Sequence, residues 1–90
     1  MTTAYGQLSR GARSLFNCIV SISEGGNNYF AQMSRALCLP ELELAGYVIS
    51  RSLDRQGVYA NVFPTEAGIN EMMKWEIEEM KFKTYRTAME

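Results

Sequence analysis

Histidine is absent from this 90-residue chain, and cysteine occurs only twice, as Cys18 and Cys38. With no imidazole and no Cys-x-x-Cys pair, the ligand sets of zinc and most other transition metals cannot be assembled, so no metal or other cofactor is expected. Two cysteines in a core-forming chain favour free thiols that pack as small hydrophobes over a disulfide. No apolar run approaches the roughly 20 residues of a membrane-spanning helix, and MTTAYGQLSR lacks a signal peptide's hydrophobic region. A cytoplasmic protein with no membrane partner is the expectation.

An excess of positive charge is missing as well. Nine Lys and Arg face ten Asp and Glu, giving a net charge of −1 and a pI near 5.4. The basic footprint usual in a nucleic-acid-binding domain is therefore not visible in the average. The distribution is less even: Arg10, Arg13, Arg35, Arg51 and Arg55 lie in the first two-thirds, whereas Glu66, Glu71, Glu76, Glu78 and Glu79 fall together later. The acidic mean leaves room for a neutral or mildly basic working face. No nucleophile, base and orienting group can be assembled, so catalysis is not expected. Glu76, Glu78 and Glu79, near Lys74, Lys81 and Lys83, read as solvated ion pairs, and Ser21-Ile22-Ser23-Glu24-Gly25-Gly26 as a helix terminator rather than a phosphate loop.

What is present fits a single domain. Apolar residues make up 47% of the chain, enough for one small core; domains of this size bury only about two-thirds of their unfolded surface and often gain stability by dimerising. Leu8, Ala12, Leu15, Phe16, Ile19 and Ile22 recur at helical spacing and predict a helix over about 9–23, capped by Ser9 and stopped by Gly25-Gly26. Phe30, Met33 and Leu37 predict a second helix over about 28–38, with Asn28, Gln32 and Arg35 at i, i+4 and i+7 on its polar face. Pro40 opens a short segment that Gly46 ends.

Two runs rich in β-branched and aromatic residues follow, 47–53 and 58–63, separated by Asp54-Arg55-Gln56-Gly57. Asp starts such a turn and Gly closes it, so a hairpin with Arg55 at its tip is expected. Thr65 then caps a helix running from about 65 to 89. Ile69, Met73, Ile77 and Met80 form one apolar stripe on it; Trp75, Phe82 and Met89 fall on another side. Four of the six methionines lie here, which suits an adaptable packing surface. These features predict a homodimer joined through Trp75, Phe82 and Met89, with a wider core stripe as the plain alternative.

Leu42-Glu43, Gly46-Tyr47-Val48, Asp54-Arg55 and Thr65-Glu66-Ala67-Gly68 together resemble the wing region of winged helix-turn-helix regulators, especially the MarR-like group. The resemblance covers about a third of the chain. It implies an α+β, mainly helical fold with a β-hairpin wing at about 47–63 and a long C-terminal helix at about 65–89. It also implies sequence-specific binding of double-stranded DNA as a two-fold dimer. Two phases of the motif are open: helix 28–38 enters the major groove, or a helix over 40–56 does and the wing starts near Gly57.

In the first phase Asn28, Gln32 and Arg35 suit base edges, since Asn and Gln pair with adenine and Arg with guanine. Arg55 and Arg51 would reach a minor groove or a phosphate from the hairpin, with weaker support from Arg10 and Arg13. A small dimeric transcriptional regulator of prokaryotic, plasmid or phage type is the leading expectation. A non-catalytic protein-interaction module of the same shape is the alternative, favoured by the acidic pI and by Glu41 and Glu43 beside the reading segment.

Overall fold

The computed structural model describes the backbone of residues 2–89 and the side chains of residues 2–81. After a 3-10 turn at Tyr5–Gln7 come α1 (Arg10–Glu24), β1 (Tyr29–Gln32), a second 3-10 turn (Met33–Arg35), α2 (Leu39–Leu44), β2 (Val48–Ser52), β3 (Tyr59–Pro64) and α3 (Glu66–Met89). Three α-helices and one antiparallel sheet in the order β1-β3-β2 make up the described residues. The fold class is therefore α+β.

α1 begins where the sequence places it. The Ser9 hydroxyl accepts the Ala12 N–H at 3.2 Å, satisfying one orphan donor of the first turn. The Ser9 N–H and hydroxyl both donate to the Glu41 carboxylate, at 2.8 and 2.7 Å. Glu41 thus plays, from α2, the part that a capping-box glutamate plays within one helix. These two bonds hold its pKa below the ordinary glutamate value, the Ser9 N–H contributing most. Ala12, Phe16, Ile19 and Val20 are buried at i, i+4, i+7 and i+8, the face that packs on β3.

α2 ends in a Schellman motif. The Tyr47 N–H donates to the Leu42 carbonyl (2.9 Å) and the Gly46 N–H to that of Glu43 (3.2 Å), which requires Gly46 at φ +82°. The same pair of bonds ends α1, from Asn27 to Ile22 and from Gly26 to Ser23. Tyr47, swung inward by this turn, is fully buried and sits edge-on to Phe16, with ring centroids 5.0 Å apart. Its hydroxyl donates to the Thr3 carbonyl at 2.7 Å. Burial, followed by the nearby Glu71 carboxylate, pushes its pKa up to about 12. The neutral phenol is the form the fold favours, so its contribution is complete below the unfolded value of 10.0 and is lost as pH rises toward 12. Urea unfolding across this range is expected to show stability falling in that window, with a shallower fall in Tyr47→Phe; equal slopes in both proteins would contradict the assignment.

Thr65 links the hairpin to α3. Its hydroxyl accepts the Gly68 N–H at 3.0 Å and donates to the Gly46 carbonyl at 2.6 Å. Gly68 itself lies where α3 crosses Tyr47: a Cβ there would stand 2.9 Å from the Tyr47 Cα and 3.1 Å from the Phe16 Cζ. Gly68→Ala should gain about 1 kcal/mol of helix propensity yet lose about 1–3 kcal/mol to crowding. A lower urea midpoint is the expected outcome; a higher one would place α3 farther from Tyr47.

Two helices expected from the sequence do not form. Residues 28–38 are not a helix: Tyr29–Gln32 pair with β3, Ala31 opposite Ala60 and Gln32 opposite Tyr59, and only a 3-10 turn follows. The apolar set assigned to a helix face is dispersed, for Phe30 is 59% and Leu37 90% exposed. Extended, the segment pairs with β3 and turns Ala31 into the core, so a distant strand and not the local spacing sets its conformation. Residues 40–56 are not a helix either, because Gly46 terminates α2 after six residues and Val48–Ser52 is a strand. Both cysteines are free thiols, but Cys18 is exposed on α1 instead of packing as a small hydrophobe, and Cys38 is half-buried in the turn before α2.

Candidate nucleic-acid interface

The hairpin expected over 47–63 forms, with β2 one residue shorter at each end than the run 47–53 and β3 one residue later than 58–63. Leu53 donates its N–H to the Tyr59 carbonyl at 2.9 Å, and the Asp54 carboxylate accepts the Val58 N–H at 2.9 Å, closing the loop locally. Asp54 is thereby occupied, leaving Arg55 exposed at the tip. The Met33 N–H donates to the Val58 carbonyl at 2.8 Å and Gln32 pairs with Tyr59, so the exit of β1 is tied to the hairpin loop. Arg35, two residues on, therefore lies at the same end of the sheet as Arg55. Arg51 stands two cross-strand pairs further in than Tyr59, opposite Asn61. All three arginines are exposed.

Asn28, Gln32 and Arg35 do not share a helix face. Gln32 lies on β1, on the sheet face turned away from the core, and Arg35 in the 3-10 turn. Asn28 precedes β1 at the opposite end of that strand, away from the hairpin loop. The structure thus gathers Gln32, Arg35, Arg51 and Arg55 toward one end of the sheet and leaves Asn28 apart. Arg13 is engaged elsewhere: its guanidinium lies 5.6 Å from the Trp75 ring centroid and donates to the Leu8 carbonyl at 3.1 Å. Arg10 is exposed on the first turn of α1.

The glutamates of α2 are tied into the fold. Glu41 receives Ser9, and Glu43 accepts the Ser50 hydroxyl at 3.0 Å. The later acidic group, Glu66 to Glu79, belongs to α3. That helix also carries Lys74, Lys81, Lys83 and Arg86, and Lys74 lies 3.3 Å from Glu71, so its charge is mixed, whereas the hairpin end holds Arg35, Arg51 and Arg55 with Asp54.

Two surfaces escaped the sequence reading. One is the outer sheet face, where register places Leu53, Tyr59 and Gln32 in one row, Arg51, Asn61 and Phe30 in the next, and Ile49 beside Phe63 in a third. Phe30 and Tyr59 stack with centroids 5.2 Å apart and planes 17° from parallel. Tyr29-Phe30-Ala31-Gln32 has no alternation of apolar and polar residues, so the sequence carries no local signal for this face. The other is the contact of Trp75 with its own chain: its ring lies 5.9 Å from that of Tyr5 and would meet a Cβ at Gly6 within 2.7 Å. Trp75 remains 37% exposed, while Met73, Ile77 and Met80 beside it are 50%, 49% and 67% exposed. The side chains of Phe82 and Met89 lie outside the described residues.

No helix among the described residues is long and apolar enough to cross a membrane. No family model, characterised protein or solved structure matches the chain.

Proposed function

We propose that this chain is a small DNA-binding protein of winged-helix type, acting as a dimeric transcriptional regulator of prokaryotic, plasmid or phage kind. The observation that carries the reading is the gathering of Arg35, Arg51 and Arg55 at the hairpin end of the sheet, with the one acidic side chain of the loop, Asp54, bonded to its own backbone. The order α1, β1, α2, β2, β3, α3, with a hairpin ahead of a long final helix, supports the winged-helix comparison. α2 is six residues long and carries two engaged glutamates, so the hairpin makes the main contact in place of a long reading helix. Arg55 enters a minor groove or grips a phosphate at the tip, Arg51 and Arg35 neutralise phosphates on either side, and Gln32 lies within the same surface.

Dimerisation through α3 completes the reading. A compact 90-residue domain has a radius of gyration of about 12 Å, whereas this molecule has 15.1 Å and extends 57 × 25 × 22 Å. Such a shape suits a final helix that reaches past the sheet-bearing body. Met73, Ile77 and Met80, at helical spacing, form its uncovered apolar stripe, and Trp75, Phe82 and Met89 lie on the same helix. Two copies joined there read a palindromic site with half-sites about one helical turn apart.

The test is a salt titration of binding to a random-sequence duplex, with the mass in solution recorded. Affinity falling with salt at a slope of about −0.9 per phosphate neutralised, and a dimer mass, are the expected results. No duplex binding at low salt would refute the reading. It would favour a protein-interaction module, for which the exposed stripe on α3 is the specific observation.

A further inference from the structure

We infer that the outer face of the sheet is a binding platform for single-stranded DNA, adjoining the arginine-bearing hairpin tip and sharing Gln32 and Arg51 with it. The inference rests on the nucleic-acid reading above and extends it to a second surface and a different form of the ligand. Its first support is composition. The outward positions of the three strands hold Phe30, Ile49, Tyr59 and Phe63 together with Gln32, Arg51 and Asn61, and none is acidic. Phe30 and Ile49 are each 59% exposed, an uncovered apolar surface that isolated side chains do not make.

Geometry supplies the second support. Phe30 and Tyr59 stand on adjacent strands as a parallel pair, and both rings remain exposed, Phe30 at 59% and Tyr59 at 39%, so the pair presents aromatic surface to a planar group. Beside them, Ile49, Arg51 and Phe63 line a shallow depression. An aromatic ring, an aliphatic side chain and a guanidinium around one hollow can hold a base flat and a phosphate at its edge. Strands lie about 4.8 Å apart and alternate outward residues about 7 Å apart along each, giving room for two or three bases. Asn61, between the two features, and Gln32 beside Tyr59 offer both donors and acceptors to base edges.

Unpaired bases fit this surface better than a duplex does. In a duplex the base faces are already stacked on one another, and rings standing on an open sheet cannot reach them. In a single strand the faces are free, and aromatic stacking is the main sequence-tolerant interaction. Electrostatics agree: Arg51 lies within the platform, and Arg35 and Arg55 flank its hairpin end, where a backbone leaving the platform would pass. That continuity with the duplex-contacting end assigns the strand as DNA, such as one side of an opened site.

The experiment measures fluorescence anisotropy of a labelled oligothymidylate about 8 nucleotides long, alongside a random duplex and an oligouridylate of equal length, with mass in solution followed throughout. Wild-type protein is expected to bind the oligothymidylate more tightly than the oligouridylate. Phe30→Ala and Tyr59→Ala should each weaken single-strand binding about tenfold and change duplex binding less than about twofold. Tyr59→Phe, which keeps the ring, should bind as wild type, and unchanged melting temperatures would exclude a folding defect. Duplex binding without oligothymidylate binding would overturn this inference and leave the proposed function standing. Ring variants without effect, a preference for the ribo-oligomer, or loss of a dimer in Phe30→Ala would also overturn it, the last by making the face a contact between copies.

Discussion

Replacing Arg35, Arg51 and Arg55 together by serine is expected to weaken duplex binding about a hundredfold at moderate salt and to leave the fold intact. Each guanidinium that meets a phosphate contributes on the order of 1 kcal/mol, and three such losses approach that factor. The salt dependence is the sharper readout, since each lost phosphate contact should lower the log–log slope by about one. All three side chains are exposed and none makes a described hydrogen bond or ion pair within the chain, so the melting temperature should stay within a few degrees of wild type. Duplex affinity and slope both unchanged in a folded variant would remove the hairpin end from the interface. Serine at Asn28, on the other end of β1, serves as the matched control and should change affinity little.

Phe16→Ala should have the largest effect on stability. Phe16 is fully buried and lies where α1, Tyr47 and the Gly68 turn of α3 meet. Truncating a buried Phe costs about 3–5 kcal/mol, a large part of the total for a domain this small. For a chain of this length that corresponds to a melting temperature lowered by at least about 12 °C, or to no cooperative transition at all. Phe30→Ala, the same substitution at a 59% exposed position, should shift it by only a few degrees. A shift in Phe16→Ala no larger than in Phe30→Ala would mean that the three elements do not share this core.

The contrast between these two phenylalanines also explains what could be read from the sequence. Around Phe16 the signals are local and agree: a Ser cap, apolar residues at i, i+4, i+7 and i+8, and two glycines that end the helix. The hairpin and α3 were legible for the same reason, through Asp54 and Gly57 in the loop and Thr65 at the helix start. Around Phe30 the local signals mislead. Phe30, Met33 and Leu37 fall at i, i+3 and i+7, a helical spacing, although the segment is a four-residue strand. Its partner, β3, lies about thirty residues further on, so the pairing that decides its conformation leaves no mark within the segment itself.

That one misassignment propagates into the site. With 28–38 taken as a helix, Asn28, Gln32 and Arg35 fell on one polar face and Phe30 on the core face. As a strand, the segment turns Phe30 outward to join Tyr59, and Asn28 and Arg35 move to opposite ends. Arg51 and Arg55 lie together because both belong to the hairpin, whose loop signals are local, and the Met33–Val58 bond brings Arg35 to the same end. Trp75 illustrates a different limit. Its seven-residue spacing to Phe82 suggested an outer surface, but Tyr5, seventy residues earlier, covers part of the ring. Contacts of such separation are set by how the chain ends pack.

The central claim is that the hairpin end meets duplex DNA, and amide NMR spectra recorded during a duplex titration test it most directly. The largest shifts are expected on residues 33–35 and 51–58, with α3 changing little. Shifts concentrated on α3 with the hairpin undisturbed, or no shifts at low salt, would contradict it.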